Sequence, residues 1–373
     1  MLRARRFFRR FLTRLVVNPV SHWISSVVFG FCDVVFHSIY HLLGLAHRPD
    51  FFRSWQTSHN SFYPSFEIPL RDGRQYLKHS RSVSDPYGVY TAAIVFRYIP
   101  RADAEKALAS LQAINPNARL DPSFEDAHGR YPVCYCFGFH QNLLSGWMLK
   151  LNRRNLGIKF KGIDYSEVCI GILGVKLDDP AHVYPGPFLF MPRLHLNRLY
   201  PTFLGLTVGL AKTWSRVRPS NENYTVHERF TGRQLYRAEF EPYGEIGPPE
   251  RFTNLGPLLK LLELPLVSRL LGDILYTYFD WGWDHSFVQP IRGRLECFSD
   301  EVPCMPRGRF EFAGIDQDAS GAFRVHLPWE LVAPFRRNAI VKRVMDARAG
   351  ERQIIQAPSP FLQKATVDGM PRR

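Results

Sequence analysis

From about residue 86 onward the chain is a succession of short apolar runs bounded by polar, Gly or Pro positions, the pattern of buried strands. Residues 90–98 (YTAAIVFRY), 131–140 (YPVCYCFGFH), 166–175 (SEVCIGILGV) and 187–196 (PFLFMPRLHL) predict four strands. Residues 102–112 (ADAEKALASLQ) combine good helix formers without a breaker and predict a helix, which Asn115-Pro116-Asn117 stops. The clearest local pattern is at 224–241, where two arms flank Thr231-Gly232, a hairpin turn. In the second arm Tyr236, Ala238 and Phe240 share one face and Arg237, Glu239 and Glu241 the other, as in a half-buried antiparallel strand. Residues 255–279 are Leu-rich, and Pro265 divides them into two short helical pieces. Strand-like segments return at 287–298, 307–314 and 321–328. The fold class expected is α+β, a mainly antiparallel β-barrel or meander preceded by one amphipathic helix. The expected domains are a basic helical segment at 1–47, a linker at 48–85, a globular domain at 86–345 and a loose tail at 346–373.

The N-terminal segment has its own pattern. Residues 1–14 carry Arg3, Arg5, Arg6, Arg9, Arg10 and Arg14 and no acid. Over 15–47 the polar positions His22, Ser26, Gly30, Asp33, His37, His41 and Gly44 recur with helical period, leaving a wide apolar face. An Arg-rich, acid-free start suits a mitochondrial presequence or a basic helix on an anionic membrane surface. A helix packed on the globular core and a spanning anchor are the alternatives. The expected location is mitochondrial, or another membrane-associated intracellular site.

Composition changes this picture little. In 373 residues, 45 % hydrophobic and 14 % aromatic, a sizeable core can form, and disorder, collagen and coiled coil are excluded. Forty-eight Lys and Arg against 34 Asp and Glu give a net charge of +14, which favours anionic partners. The basic patch is short and runs into an apolar stretch, so nucleic acid is not expected. Six cysteines without a spacing pattern argue against a disulfide scaffold. Cys134 and Cys136 read as small buried hydrophobes rather than metal ligands.

The easily recognised hydrolase, nucleotide-binding and zincin motifs do not occur. Residues 199–214 (LYPTFLGLTVGLAKTW) carry a single charge, Lys212, between Arg198 and Arg216. Apolar surroundings and a neighbouring cation disfavour an ammonium, and a neutral amine is what a Schiff-base nucleophile needs. A lysine snorkelling from a helix end is the alternative. Asp280-Trp281-Gly282-Trp283-Asp284-His285 could line a pocket mouth, with Trp283 and His285 against substrate, or supply an acid or base from its acids and histidine, or be a turn with two anchoring aromatics.

In the order strand, helix, strand, Tyr165-Ser166-Glu167, GPFLFMPRLHL and Gly209-Leu210-Ala211-Lys212, the chain resembles the acetoacetate decarboxylase-like superfamily over roughly 85–245. The resemblance implies a β-barrel in which Lys212 is the Schiff-base lysine and Glu167 the pocket glutamate that orients substrate and handles protons. Ala211 and Thr213 stand where the family has proline and a second lysine, so Arg193 or Arg216 would supply the neighbouring cation and hold a substrate carboxylate. Tyr135 falls near the position of a pocket acid. The function implied is a lyase acting on an oxo acid through Lys212, without a cofactor, in a possible homo-oligomer. The alternative is a non-enzymatic lipid or apolar-ligand binding or scaffold protein held at a membrane surface by residues 1–47.

Overall fold

The computed structural model describes residues 86–145, 163–178, 184–207, 209–219, 223–270, 273–283, 286–315 and 321–335. The basic helix expected at 1–47, the linker at 48–85 and the tail at 346–373 lie outside the described residues.

The thirteen described strands are β1 (Pro86–Pro100), β2 (Ala118–Leu120), β3 (Arg130–Ser145), β4 (Ile163–Leu177), β5 (Phe188–Leu196), β6 (Lys212–Pro219), β7 (Asn223–Glu228), β8 (Gln234–Pro242), β9 (Leu266–Leu270), β10 (Asp273–Trp281), β11 (Phe287–Cys297), β12 (Gly308–Ala313) and β13 (Ala322–Phe335). Among the described residues three α-helices join them: α1 (Arg101–Gln112), α2 (Leu199–Thr207) and α3 (Leu255–Leu262). Helix α1 buries Ala104, Ala107, Leu108 and Leu111, one stripe at helical spacing. Its other side carries ion pairs such as Arg101 to Glu105 at 2.7 Å.

The centre of the fold is a wall of five antiparallel strands in the order β13-β1-β3-β4-β5. This wall forks at both edges. On β5, β9 pairs in parallel at Leu189 and Phe190, while β6 pairs in parallel at Leu194 to Leu196. On β13, β11 pairs at Phe323 to His326 and β10 from Trp329 onward. Antiparallel pairing of β9 with β10 closes a seven-strand ring, and the run β6-β7-β8-β11 closes a nine-strand ring. The wall therefore separates two interiors. This explains why Ala92, Ala93, Ile94 and Val95 on β1, and Val168 to Leu173 on β4, are buried on consecutive positions. A strand covered on both sides reads as a continuous apolar run rather than an alternation.

The hairpin expected at 224–241 forms as β7 and β8, with Gly232 in the turn at φ 74°. Tyr236, Ala238 and Phe240 are buried. On the outer face Arg294 pairs with Glu239 and Arg292 with Glu241, each at 2.6 Å. Leu255–Leu262 is helical as expected, but the segment after Pro265 is not a second helix; it is β9 and β10. The β-branched and aromatic residues Val267, Ile274, Tyr276, Thr277, Tyr278 and Phe279 suit strands. The exposed backbone edge of β5 offers β9 its hydrogen bonds, and tertiary pairing outweighs the local leucine content.

Candidate functional site

The site grows from one cross-strand row. Tyr90 on β1 stands opposite His140 on β3, which stands opposite Tyr165 on β4. Directly paired residues project to the same side of a sheet, so the three rings stack. Tyr90 and His140 centroids are 4.4 Å apart, and His140 and Tyr165 centroids 4.5 Å. Gly138 lies opposite Glu167, and a Cβ at 138 would fall 2.0 Å from the Tyr90 hydroxyl, so glycine makes room for that ring. Two residues along β4 from Tyr165, Glu167 faces the same chamber. Its Oε1 lies 2.7 Å from His140 Nε2 and accepts from Cys169 Sγ at 3.2 Å. His140 and Glu167 are only 3 % and 6 % exposed. Trp329 meets the His140 ring edge-on at 4.8 Å, and Trp281 extends the aromatic wall toward Trp283 at 5.8 Å.

Lys212 reaches this chamber from the fork. After α2 the chain turns at Gly209, φ 81°, where a Cβ would lie 2.6 Å from the Arg269 carbonyl oxygen. The Lys212 N–H donates to the Leu210 carbonyl at 2.8 Å, and β6 then begins beside β5 with Lys212 opposite Leu194. Its Nζ lies 5.6 Å from the centroid of Tyr165. The aliphatic stem crosses Gly205 of α2, where a Cβ would fall 2.1 Å from Lys212 Cδ. That explains a glycine inside a helix, a position that costs about 1 kcal/mol relative to alanine. Gly205→Ala is expected to leave the urea midpoint within about 10 % while displacing the amine, cutting carbonyl capture at Lys212 at least tenfold. An unchanged capture yield would show that the stem does not need this groove.

Electrostatics follow from one carboxylate serving two bases in a desolvated chamber. Burial lowers the Lys212 ammonium pKa, and Glu167 and Cys169 only partly restore it. Burial also lowers His140, against the pull of Glu167, and Lys212 lowers it further. For Glu167 burial pushes upward, but His140, Lys212 and the Cys169 thiol outweigh it and hold the carboxyl down at about 2. Glu167 is thus ionised, and a neutral His140 donates Nε2–H to it. His140 Nδ1 then presents a lone pair and has no hydrogen-bond partner among the described residues. The Tyr90 hydroxyl and the indole nitrogens of Trp283 and Trp329 are likewise buried without partners.

Lys212 and Glu167, the two residues picked out in the sequence, therefore share one chamber. Others do not join them. Tyr135 and Arg193 both align with Ile170, one strand position out of phase with Glu167 and Cys169, and so face the nine-strand ring. Tyr135 is structural: its hydroxyl donates to the Cys304 carbonyl at 2.6 Å. Arg216 is exposed on β6, four residues or about 13 Å of strand beyond Lys212. Trp283 is buried at the end of the aromatic wall, and His285 lies outside the described residues. Sequence reading missed His140, Tyr90 and Cys169. The available signal was parity: His140, Cys136 and Cys134 share one face of β3, whereas Tyr135 lies on the other.

Neither a family model nor a curated protein matches this chain. Among solved structures it is similar to the enduracididine biosynthesis enzyme MppR complexed with the condensation product of pyruvate and imidazole 4-carboxaldehyde, at 12 % identity and TM-score 0.43, covering 66 % of this chain and 87 % of that one. It is similar also to acetoacetate decarboxylase from Legionella pneumophila, at 12 % identity and TM-score 0.39, covering 71 % and 91 %. An acetoacetate decarboxylase-like enzyme from Sphingomonas wittichii RW1 aligns at 13 % identity and TM-score 0.42, covering 71 % and 98 %.

Proposed function

We propose that this chain is a lyase of the acetoacetate decarboxylase-like kind, in which Lys212 captures a carbonyl compound as an imine. The observation that carries this reading is the lysine amine held beside Tyr165 in a desolvated chamber where Glu167, the one carboxylate there among the described residues, is already bonded to His140. A neutral amine adds to a ketone or aldehyde carbon, and the carbinolamine takes up one proton from solvent as water leaves, forming a protonated imine. That cation lies in the field of the Glu167 carboxylate and withdraws electrons from the adjacent carbon, so that carbon dioxide or a proton can depart. His140 Nδ1 is the free base in the chamber. With Arg193 and Arg216 away from Lys212, the walls favour a carbonyl compound with an apolar or aromatic body.

Borohydride reduction with a panel of 2- and 3-oxo acids, aryl ketones and aldehydes tests this. A substrate-dependent adduct on Lys212, lost in Lys212→Ala, is expected. A folded protein giving no adduct across the panel would sink the imine mechanism for these substrates. Three buried tryptophans, two with unpartnered indole N–H groups, would then favour the second reading, an apolar-ligand binding protein.

A further inference from the structure

The nine-strand ring holds a second, independent feature. Between β5, β6 and the β7–β8 hairpin lies a groove of about 280 Å³, lined by Arg193, His195, Trp214, Arg229, Phe230 and Leu235, with Glu228 and Glu301 at its rim. It sits on the side of β5 turned away from Lys212, since Leu194 pairs with Lys212 while Arg193 and His195 are out of phase with it.

The charges of this groove are unbalanced. Both acids are engaged by one residue outside it: Arg233 Nη2 lies 2.5 Å from Glu228 Oε1 and 2.6 Å from Glu301 Oε2. Arg229 lies 4.2 Å over the Trp214 ring. Among the described residues Arg193 makes no ion pair or hydrogen bond. His195 is 2 % exposed, its Nδ1 lies 2.8 Å from Ser215 Oγ, and its Nε2 has no partner. The Nε2 atom is itself buried, so His195 lines the groove through its ring and leaves the Arg193 guanidinium as the donor there. A guanidinium fork without an acidic partner of its own is a carboxylate receptor. The rest of the groove is apolar: Leu235, and the Trp214 ring met edge-on by Phe230 at 6.2 Å. Phe230 is 87 % exposed, unusual for so large an apolar side chain.

We propose that this groove binds a small organic carboxylate with a flat apolar body, its carboxylate on Arg193 and its apolar body against Leu235 and the exposed ring of Phe230. The volume is at the small end for ligand pockets, which limits the ligand to a single ring or a short branched chain. Arg193 was an apparent carboxylate clamp for the lysine chamber; here it serves a separate site instead.

Calorimetric titration of the full chain with phenylacetate, benzyl alcohol and inorganic phosphate tests the assignment. Phenylacetate is expected to bind at least tenfold tighter than either of the others. Arg193→Gln is expected to weaken it at least tenfold, and Phe230→Ala, on the exposed hairpin turn, about threefold or more. Lys212→Met is expected to leave it unchanged, which separates this site from the imine chamber whatever the outcome there. No phenylacetate binding, equal affinity for phosphate, unaltered affinity in both Arg193→Gln and Phe230→Ala, or loss of binding in Lys212→Met would each overturn the proposal.

Discussion

Replacing His140 by alanine is expected to destabilise the fold by about 3–5 kcal/mol, the range for removing one partner of a buried ion or hydrogen-bonded charge pair. Two physical effects act together. Glu167 is held ionised inside the wall and would lose its 2.7 Å partner, keeping only the Cys169 thiol and the charge of Lys212. The middle ring of the Tyr90–His140–Tyr165 stack would also vanish, leaving a gap that the flanking strands cannot close without breaking their register. His140→Gln keeps a donor and much of the volume, and should lose less than half as much. Urea unfolding at pH 7 measures both. If His140→Ala and Glu167→Ala were each costly but their double variant were no worse than either, the cost would lie in the pair. A loss below about 1 kcal/mol for His140→Ala would show that Glu167 finds water or another donor.

Stability is expected to fall progressively as pH drops from about 6.5 toward 3. His195 is pushed down to about 3, first by burial and then by Arg193. Burial brings His326, paired at 2.7 Å with Thr91 Oγ1, down to about 4. Both start from an ordinary value of 6.5. Below that pH the unfolded chain takes up protons that the folded chain refuses, so stability rises with pH across this window and is lost on acidification. Each unit of displacement corresponds to about 1.4 kcal/mol, so these two groups alone put on the order of several kcal/mol at stake by pH 4. Glu167 acts in the same direction lower down. Its carboxyl drops from 4.5 to about 2, a contribution present above 4.5 and lost as pH falls toward 2. Thermal midpoints should hold between pH 7.5 and 6.5 and then decline down to pH 3.5, and His326→Gln should flatten the upper part of that decline. A flat profile between pH 6.5 and 4 would mean that these imidazoles open to solvent in the native state.

Local pattern determined a good deal on its own. The strands near 90–98, 131–140, 166–175 and 187–196, the Thr231-Gly232 hairpin and the last three strands all follow from short-range hydrophobic spacing and turn chemistry, which neighbouring residues decide among themselves. Lys212 was legible as a lone cation in an apolar stretch, whereas Glu167 was reached only through the resemblance to the acetoacetate decarboxylase-like superfamily. Tertiary structure decided the rest. Nothing local in Leu266–Leu270 says strand; the free parallel edge of β5 does. Nothing local places Tyr135 and Arg193 behind the wall and His140 in front of it, because β3 and β4 are buried on both sides and their apolar runs lose the alternation that would mark a face. Which interior a side chain enters depends on register with strands tens to hundreds of residues away. One position of slip sends it into the other ring. The chamber around Lys212 and the groove around Arg193 are the two sides of that single wall.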